Sequence, residues 1–275
     1  VVVSALVCLG AGPAAALAPS RQYAQMPAEL GLVYVAVQLA TEDSLALDAW
    51  WFPGKPGASA VVIAGPGHGN QGDLLPAVRE LQKRGFAVLT FDYRGFGPRG
   101  AGPTDTLRRM VYSSAFVADA AAALRWTREK IGPRGYVFIY GREMGSAAAL
   151  AACVRTGGAD AVVADGLFRA SADYLRATGL AQDPKAVELR KRYVLEADEP
   201  LASTQLLKAP LFVIMAERDS LLPQEDALVA ARQAKVRLDL WVIPGAGHDE
   251  APRQPGYYER LVGYFRRLQA IPKAG

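Results

Sequence analysis

Cysteine and histidine are scarce in this chain, with two of each among 275 residues. Cys8 and Cys153 are too few for a disulfide framework. Cys153 sits in an alanine-rich run and reads as a small buried side chain. His68 and His248 are far apart, and no His/Cys cluster has metal-ligand spacing. No metal and no cofactor is expected. Charge of one sign is also missing. The formal net charge is only +4, and the 31 basic residues are scattered. Arg108-Arg109, Arg190-Lys191-Arg192 and Arg266-Arg267 are the clusters present. Solvated helix faces account for them, so no nucleic-acid partner is expected. Long apolar runs are absent as well. Residues 1–18 are almost wholly apolar, but Gly10, Gly12 and Pro13 interrupt them. The run falls short of the roughly 20 residues that span a bilayer, so no stable membrane span is expected in the mature chain.

That first segment ends in Ala14-Ala15-Ala16-Leu17-Ala18, small residues that suit a signal-peptidase site. The expectation is an export signal over residues 1–20, with a mature start near residues 17–21. The protein is then periplasmic or secreted, or tethered to the membrane through this segment. A lipoprotein signal wants Gly or Ala before its cysteine, and Val7 does not fit.

What is present is a core. Hydrophobic residues make up 51% of the chain and charged residues 21%. That suits one domain, placed here at residues 30–272. Strand patterns fall at residues 32–40, 45–52, 60–64, 86–91, 136–140, 161–164, 211–215 and 238–243. Helical patterns fall at 73–84, 113–131, 144–156, 224–234 and 255–269. Strands alternating with helices predict an α/β fold with a mostly parallel sheet. The first two strands lack a helix between them, so an antiparallel start is expected. Residues 169–205 break the rhythm. They are polar and helical, punctuated by Asp183-Pro184 and Glu199-Pro200, and read as a small cap over a site.

Two glycine-rich segments carry no nucleotide chemistry. Gly95-Phe96-Gly97-Pro98-Arg99-Gly100 matches G-x-G-x-x-G, but Gly102-Pro103 blocks the helix that a dinucleotide fold needs there. Residues 65–72 lack the Lys-Ser/Thr of a phosphate-binding loop. The informative motif is Gly141-Arg142-Glu143-Met144-Gly145, between a strand and an alanine-rich helix. It has the form of the nucleophile elbow G-x-S-x-G, with glutamate where serine belongs. Ser146 lies past the centre, on the helix, where it should pack or bond a carbonyl. Downstream, Asp219 follows one strand and His248 follows the last one on a glycine-rich loop. Asp165 is a weaker alternative acid. The order nucleophile, acid, histidine brings Glu143, Asp219 and His248 to one crevice at the strand ends.

These motifs resemble the α/β-hydrolase superfamily, near the single-domain bacterial prolyl-oligopeptidase-like and monoacylglycerol-lipase-like serine hydrolases. Residues 91–97 resemble the family's D-x-R-G-x-G turn, and Pro66-Gly67-His68-Gly69-Asn70 resembles its H-G oxyanion loop. The resemblance implies an eight-stranded sheet flanked by helices. It implies an oxyanion hole built from the backbone N–H of Met144 and that of His68 or Asn70. His68 itself is expected to position the loop.

Glutamate cannot replace serine in acyl transfer, because its attack on an ester gives a mixed anhydride as reactive as the acid. The expectation is a hydrolase-fold protein without serine-esterase activity: a pseudoenzyme, or a binder of a small apolar or acyl ligand. The alternative is a carboxylate nucleophile acting on epoxide-like or halogenated carbon, with water activated by His248 and Asp219 hydrolysing the resulting ester. Enzymes of that kind in this superfamily carry Asp, and the extra methylene moves the oxygen by about 1 Å or more, a misplacement that can cost about 10²-fold in rate. Haloalkane dehalogenases place Trp where this chain has Met144. Tyr174 and Tyr193 are candidate epoxide-polarising residues of the cap. Residual ester hydrolysis by activated water is a third possibility.

Overall fold

Every residue of Ala60–Ala64 is buried. The same holds for Ala87–Phe91, Ala161–Asp165 and Leu211–Ala216. Strands covered on both faces belong in a sheet with helices on each side, since a half-solvated strand would alternate. The computed structural model describes residues 17–100 and 112–271. Along them run β1 (Ala18–Pro19), β2 (Val35–Ala40), β3 (Ala46–Phe52), β4 (Ala60–Ala64), β5 (His68–Gly69), α1 (Leu75–Lys83), β6 (Ala87–Phe91) and α2 (Ser114–Ile131). Then follow β7 (Val137–Arg142), α3 (Met144–Thr156), β8 (Ala161–Asp165), α4 (Ser171–Ala177), α5 (Pro184–Tyr193) and α6 (Pro200–Leu206). The chain ends in β9 (Leu211–Ala216), α7 (Gln224–Ala231), β10 (Leu238–Ile243) and α8 (Tyr257–Gln269).

Eight strands form the main sheet in the order β10-β9-β8-β7-β4-β6-β3-β2. β2 and β3 are antiparallel, as is the β3–β6 pair, and the other neighbours are parallel. The antiparallel opening agrees with the missing helix between the first two strand patterns. Side chains alternate across the pleat. Val62 and Ala64 face one core with α2 and α3, while Val61 and Ile63 face the other with α1 and α8. The polar stretch after β8 forms α4, α5 and α6 with short 3-10 turns between them.

Two differences from the sequence reading have physical causes. The helix expected from residue 73 begins instead with a 3-10 turn over Gln71–Leu74. Asn70 caps that turn, and Asp73 reaches back to the Asn70 N–H, completing a capping box. Residues 18–19 pair in parallel with His68–Gly69, although two-residue strands leave no periodic signal. Leu17 is fully buried there. The Ser20 carbonyl accepts from the Gly97 amide at 2.9 Å, and the Gln22 carbonyl accepts from the Asn70 side chain at 2.7 Å. The remainder of the expected export signal, with Cys8, lies outside the described residues. No helix among the described residues is long and apolar enough to cross a membrane.

Candidate active site

The elbow is held by close packing. An added Cβ on Gly141 would stand 2.1 Å from the Gly145 carbonyl oxygen. One on Gly145 would stand 2.2 Å from the Ala64 oxygen and 2.3 Å from the Gly65 oxygen. Glycine is therefore required at 141 for strand β7 to approach helix α3, and at 145 for helix α3 to approach the end of β4. Between them Glu143 adopts φ 51° and ψ −119°, a region costing roughly 1–3 kcal/mol that persists only when its surroundings impose it. Those surroundings are visible. The Glu143 N–H donates to the Asp165 carbonyl at 2.8 Å, and its own carbonyl accepts from the Ser146 amide and hydroxyl at 2.9 and 2.6 Å. Ser146 thus bonds a carbonyl, as its helical position suggested.

The strained backbone projects the Glu143 carboxylate into a cluster. Oε1 accepts a hydrogen bond from the Tyr174 hydroxyl and lies 4.0 Å from His248 Nε2. Oε2 makes no hydrogen bond among the described residues and has His68 Nδ1 at 3.4 Å. His248 Nδ1 is 2.8 Å from Asp219 Oδ2. Asp219 Oδ1 accepts the amides of Leu221 and Leu222 at 2.9 and 2.8 Å, which fixes the carboxylate plane. The acid and histidine loops are tied together too. The Gly245 amide donates to the Glu217 carboxylate at 2.7 Å, and the Arg218 amide donates to the Ala246 carbonyl at 2.8 Å.

Electrostatics make this a charged triangle. Burial pushes the Glu143 carboxyl up, but His68, Tyr174 and His248 outweigh it and hold the group below its ordinary value. Contact with Glu143 raises His68 against the opposing effect of burial. Burial lowers His248, but the Asp219 bond and the charges of Asp219, Glu143 and Asp249 prevail and raise it. Both rings are thereby biased toward imidazolium, beside a carboxylate. An imidazolium cannot accept a proton, so His248 can serve as a general base only in its neutral form.

The other singled-out residues fall in several places. The Met144 amide opens helix α3, where the first N–H groups lack partners within the helix. The Asn70 N–H donates to Asp73 Oδ2 at 2.9 Å and its side chain serves residues 20 and 22. His68 enters the cluster through its ring. Asp165 takes the Tyr257 hydroxyl at 2.7 Å, whereas Asp219 is the acid on His248. Tyr193 is 40% exposed, while Tyr174 is buried and tilted against Phe168 at 4.8 Å between ring centroids. The sequence reading did not foresee Tyr174 as a partner of Glu143. It also missed the support beneath the loop, where Asp92 accepts the Gln71 amide at 2.8 Å and the Tyr23 hydroxyl at 2.6 Å.

His68, Arg142 and Asp249 also line a cleft of about 850 Å³ that opens beside the cluster. Apolar walls come from Ile63, Leu74 and Pro252 among others. No group of His, Cys, Asp and Glu among the described residues could hold a metal ion.

A family model described as serine aminopeptidase, S33, matches residues 56–192. A Mycobacterium tuberculosis protein of uncharacterized role is 28% identical over 220 residues, spanning 78% of this chain and 72% of that one. The uncharacterized protein YfhR of Escherichia coli is 26% identical over 225 residues, covering 78% and 74% of the two chains. Among solved structures, an esterase of Pyrococcus furiosus superposes with a TM-score of 0.72 at 24% identity, covering 91% of this chain and 99% of that one. The family model spans the glycine-rich loop, the elbow and the start of the helical insertion, and the strand order accommodates all three. The chain has the α/β-hydrolase fold, and residues 56–192 are similar to that family.

Proposed function

We propose that this protein binds a small apolar or acyl ligand in a hydrolase-type pocket and lacks serine-type hydrolysis. One observation carries the reading: the Glu143 carboxylate stands at the elbow, bonded to Tyr174 and flanked by His68 and His248. The nucleophile position is filled by a group that neutralises the adjacent base. Attack by that carboxylate on an ester would produce an anhydride, with no gain in stability over the starting acyl group. The His248–Asp219 pair at 2.8 Å keeps the form it would need in a working triad.

The runner-up, a carboxylate nucleophile acting on an epoxide or a halogenated carbon, has the histidine–acid pair in its favour. The Tyr174 bond weighs against it. A polarising tyrosine should face the substrate oxygen, whereas this hydroxyl donates to the carboxylate oxygen itself.

A paired assay tests the proposal. The native chain and Glu143→Ser are compared with an activated ester and a fluorophosphonate probe, and the native chain with an epoxide panel. The expected result is ester turnover and labelling in the serine variant alone. Epoxide turnover with an ester trapped on Glu143 sinks the proposal in favour of the runner-up. A serine variant that neither turns over nor labels counts against the inferred triad geometry.

A further inference from the structure

Arg142, the residue before Glu143, carries a partly buried and underbonded guanidinium, its side chain 22% exposed. Its guanidinium makes no hydrogen bond among the described residues, and its Nε is buried without one. Nε lies 3.5 Å from Asp165 Oδ2, and Nη2 lies 3.8 Å from Asp249 Oδ1. Both distances exceed those of charge-assisted bonds. Asp165 already has the Tyr257 hydroxyl at 2.7 Å, and burial pushes its carboxyl up, weakening it as a counter-charge. The Asp249 side chain is 56% exposed, so solvent screens its charge.

The cleft that Arg142 lines has an uneven charge supply. Of its acids, Asp73 serves the capping box, and Glu80 is paired with Lys83 at 2.9 Å and Arg84 at 2.6 Å. Its other arginines, Arg79 and Arg253, have no ion pair among the described residues. A partly buried guanidinium offers a planar fork of donors that matches an oxyanion. Leaving such a group underbonded is costly, and a ligand anion removes that cost.

We infer that Arg142 recognises an oxyanion, a carboxylate or a phosphate, on a ligand whose apolar part lies along the cleft. This rests on the ligand-binding reading above and narrows it to anionic amphiphiles. The His68 ring lines the same cleft, with its Nδ1 3.4 Å from Glu143 Oε2.

Calorimetric titration at neutral pH tests this with three probes below their micellar concentrations: octanoate, octyl phosphate and octanol. They are titrated into the native chain, Arg142→Gln and Arg142→Lys. The expected result is at least about tenfold weaker binding of the anionic probes to Arg142→Gln, the loss of one charge-assisted hydrogen bond. Octanol binding should stay the same. Arg142→Lys should fall between, since a point charge lacks the fork. If Arg142→Gln does not fold, the lysine variant carries the comparison, with a several-fold loss expected. A larger loss for octyl phosphate than for octanoate assigns phosphate, and the reverse assigns carboxylate. Either result supports the inference. Equal loss for all three probes, or none, overturns it while leaving the ligand-binding reading intact. If no probe binds the native chain, both readings fail together.

Discussion

His248 Nδ1 lies 2.8 Å from Asp219 Oδ2, while its Nε2 stands 4.0 Å from the Glu143 carboxylate. One ring is thus held between two acids, where a working serine hydrolase has one acid and a hydroxyl. The second acid adds to the negative charge that raises the His248 ring above its ordinary value.

Replacing that second acid should free the base. In Glu143→Ser, hydrolysis of an activated ester should rise at least about 10²-fold above the native chain, the lower end of what a positioned base contributes. Adding His248→Ala should return the rate to the native level. An unchanged rate in the double variant would mean that the new serine acts without His248.

The triangle also predicts how stability follows pH. His68 and His248 are raised above their ordinary 6.5. Stability from groups raised on folding is fully present below the unfolded value and is lost as pH rises through the folded one. Glu143 is lowered from 4.5, so its contribution is present above that value and is lost as pH falls. The stability gap between the native chain and Glu143→Gln should therefore be widest between those two ordinary values and narrow at alkaline pH. His68 is half exposed, so solvent screens its share. Thermal melts at mildly acidic and alkaline pH measure the gap, and a flat gap refutes the charged triangle.

How much of this was legible in the sequence depends on distance along the chain. The elbow, the acid loop and the histidine loop each announce themselves locally, because tight glycine turns and strand ends have short signatures. Helix α3 falls over Met144–Thr156, where its alanine run placed it. The pairing of residues 18–19 with His68–Gly69 was not legible, since two residues are too few to establish a period. Nor was the bond from Tyr174 to Glu143, which joins a helix of the insertion to the elbow across 31 residues. Asp165 and Arg142 face each other only because β7 and β8 pair in register there. Such contacts are set by packing and register, and no local pattern encodes them.

The glycines of the elbow should be irreplaceable for a steric reason. A Gly145→Ala methyl would meet two backbone oxygens at 2.2 and 2.3 Å. Backbone cannot rotate away as a side chain can. The expected loss is about 3 kcal/mol or more, at or beyond the upper end of ordinary overpacking. Gly31 provides the contrast, with φ 66° and nothing within 4 Å of an added Cβ. Gly31→Ala should cost only about 1–2 kcal/mol of left-handed strain. Urea unfolding of both variants gives the comparison, and equal losses would show that the close approach at Gly145 is absorbed elsewhere.

Tyr174 should be worth most when Glu143 is a carboxylate. Its hydroxyl is buried and donates to Oε1, the oxygen nearer His248. Tyr174→Phe keeps the ring against Phe168 and removes only the donor. The loss should be about 1.5–3 kcal/mol, the range for a hydrogen bond to a charged group. In a Glu143→Gln background the same substitution should cost about 0.5–1.5 kcal/mol, because the acceptor is then neutral. The difference is the coupling energy of a double-mutant cycle, read from denaturant unfolding at neutral pH. Zero coupling would mean that the hydroxyl stabilises the insertion through some other contact. A positive coupling that disappears once the pH is low enough to protonate Glu143 would assign the bond to the ionised form.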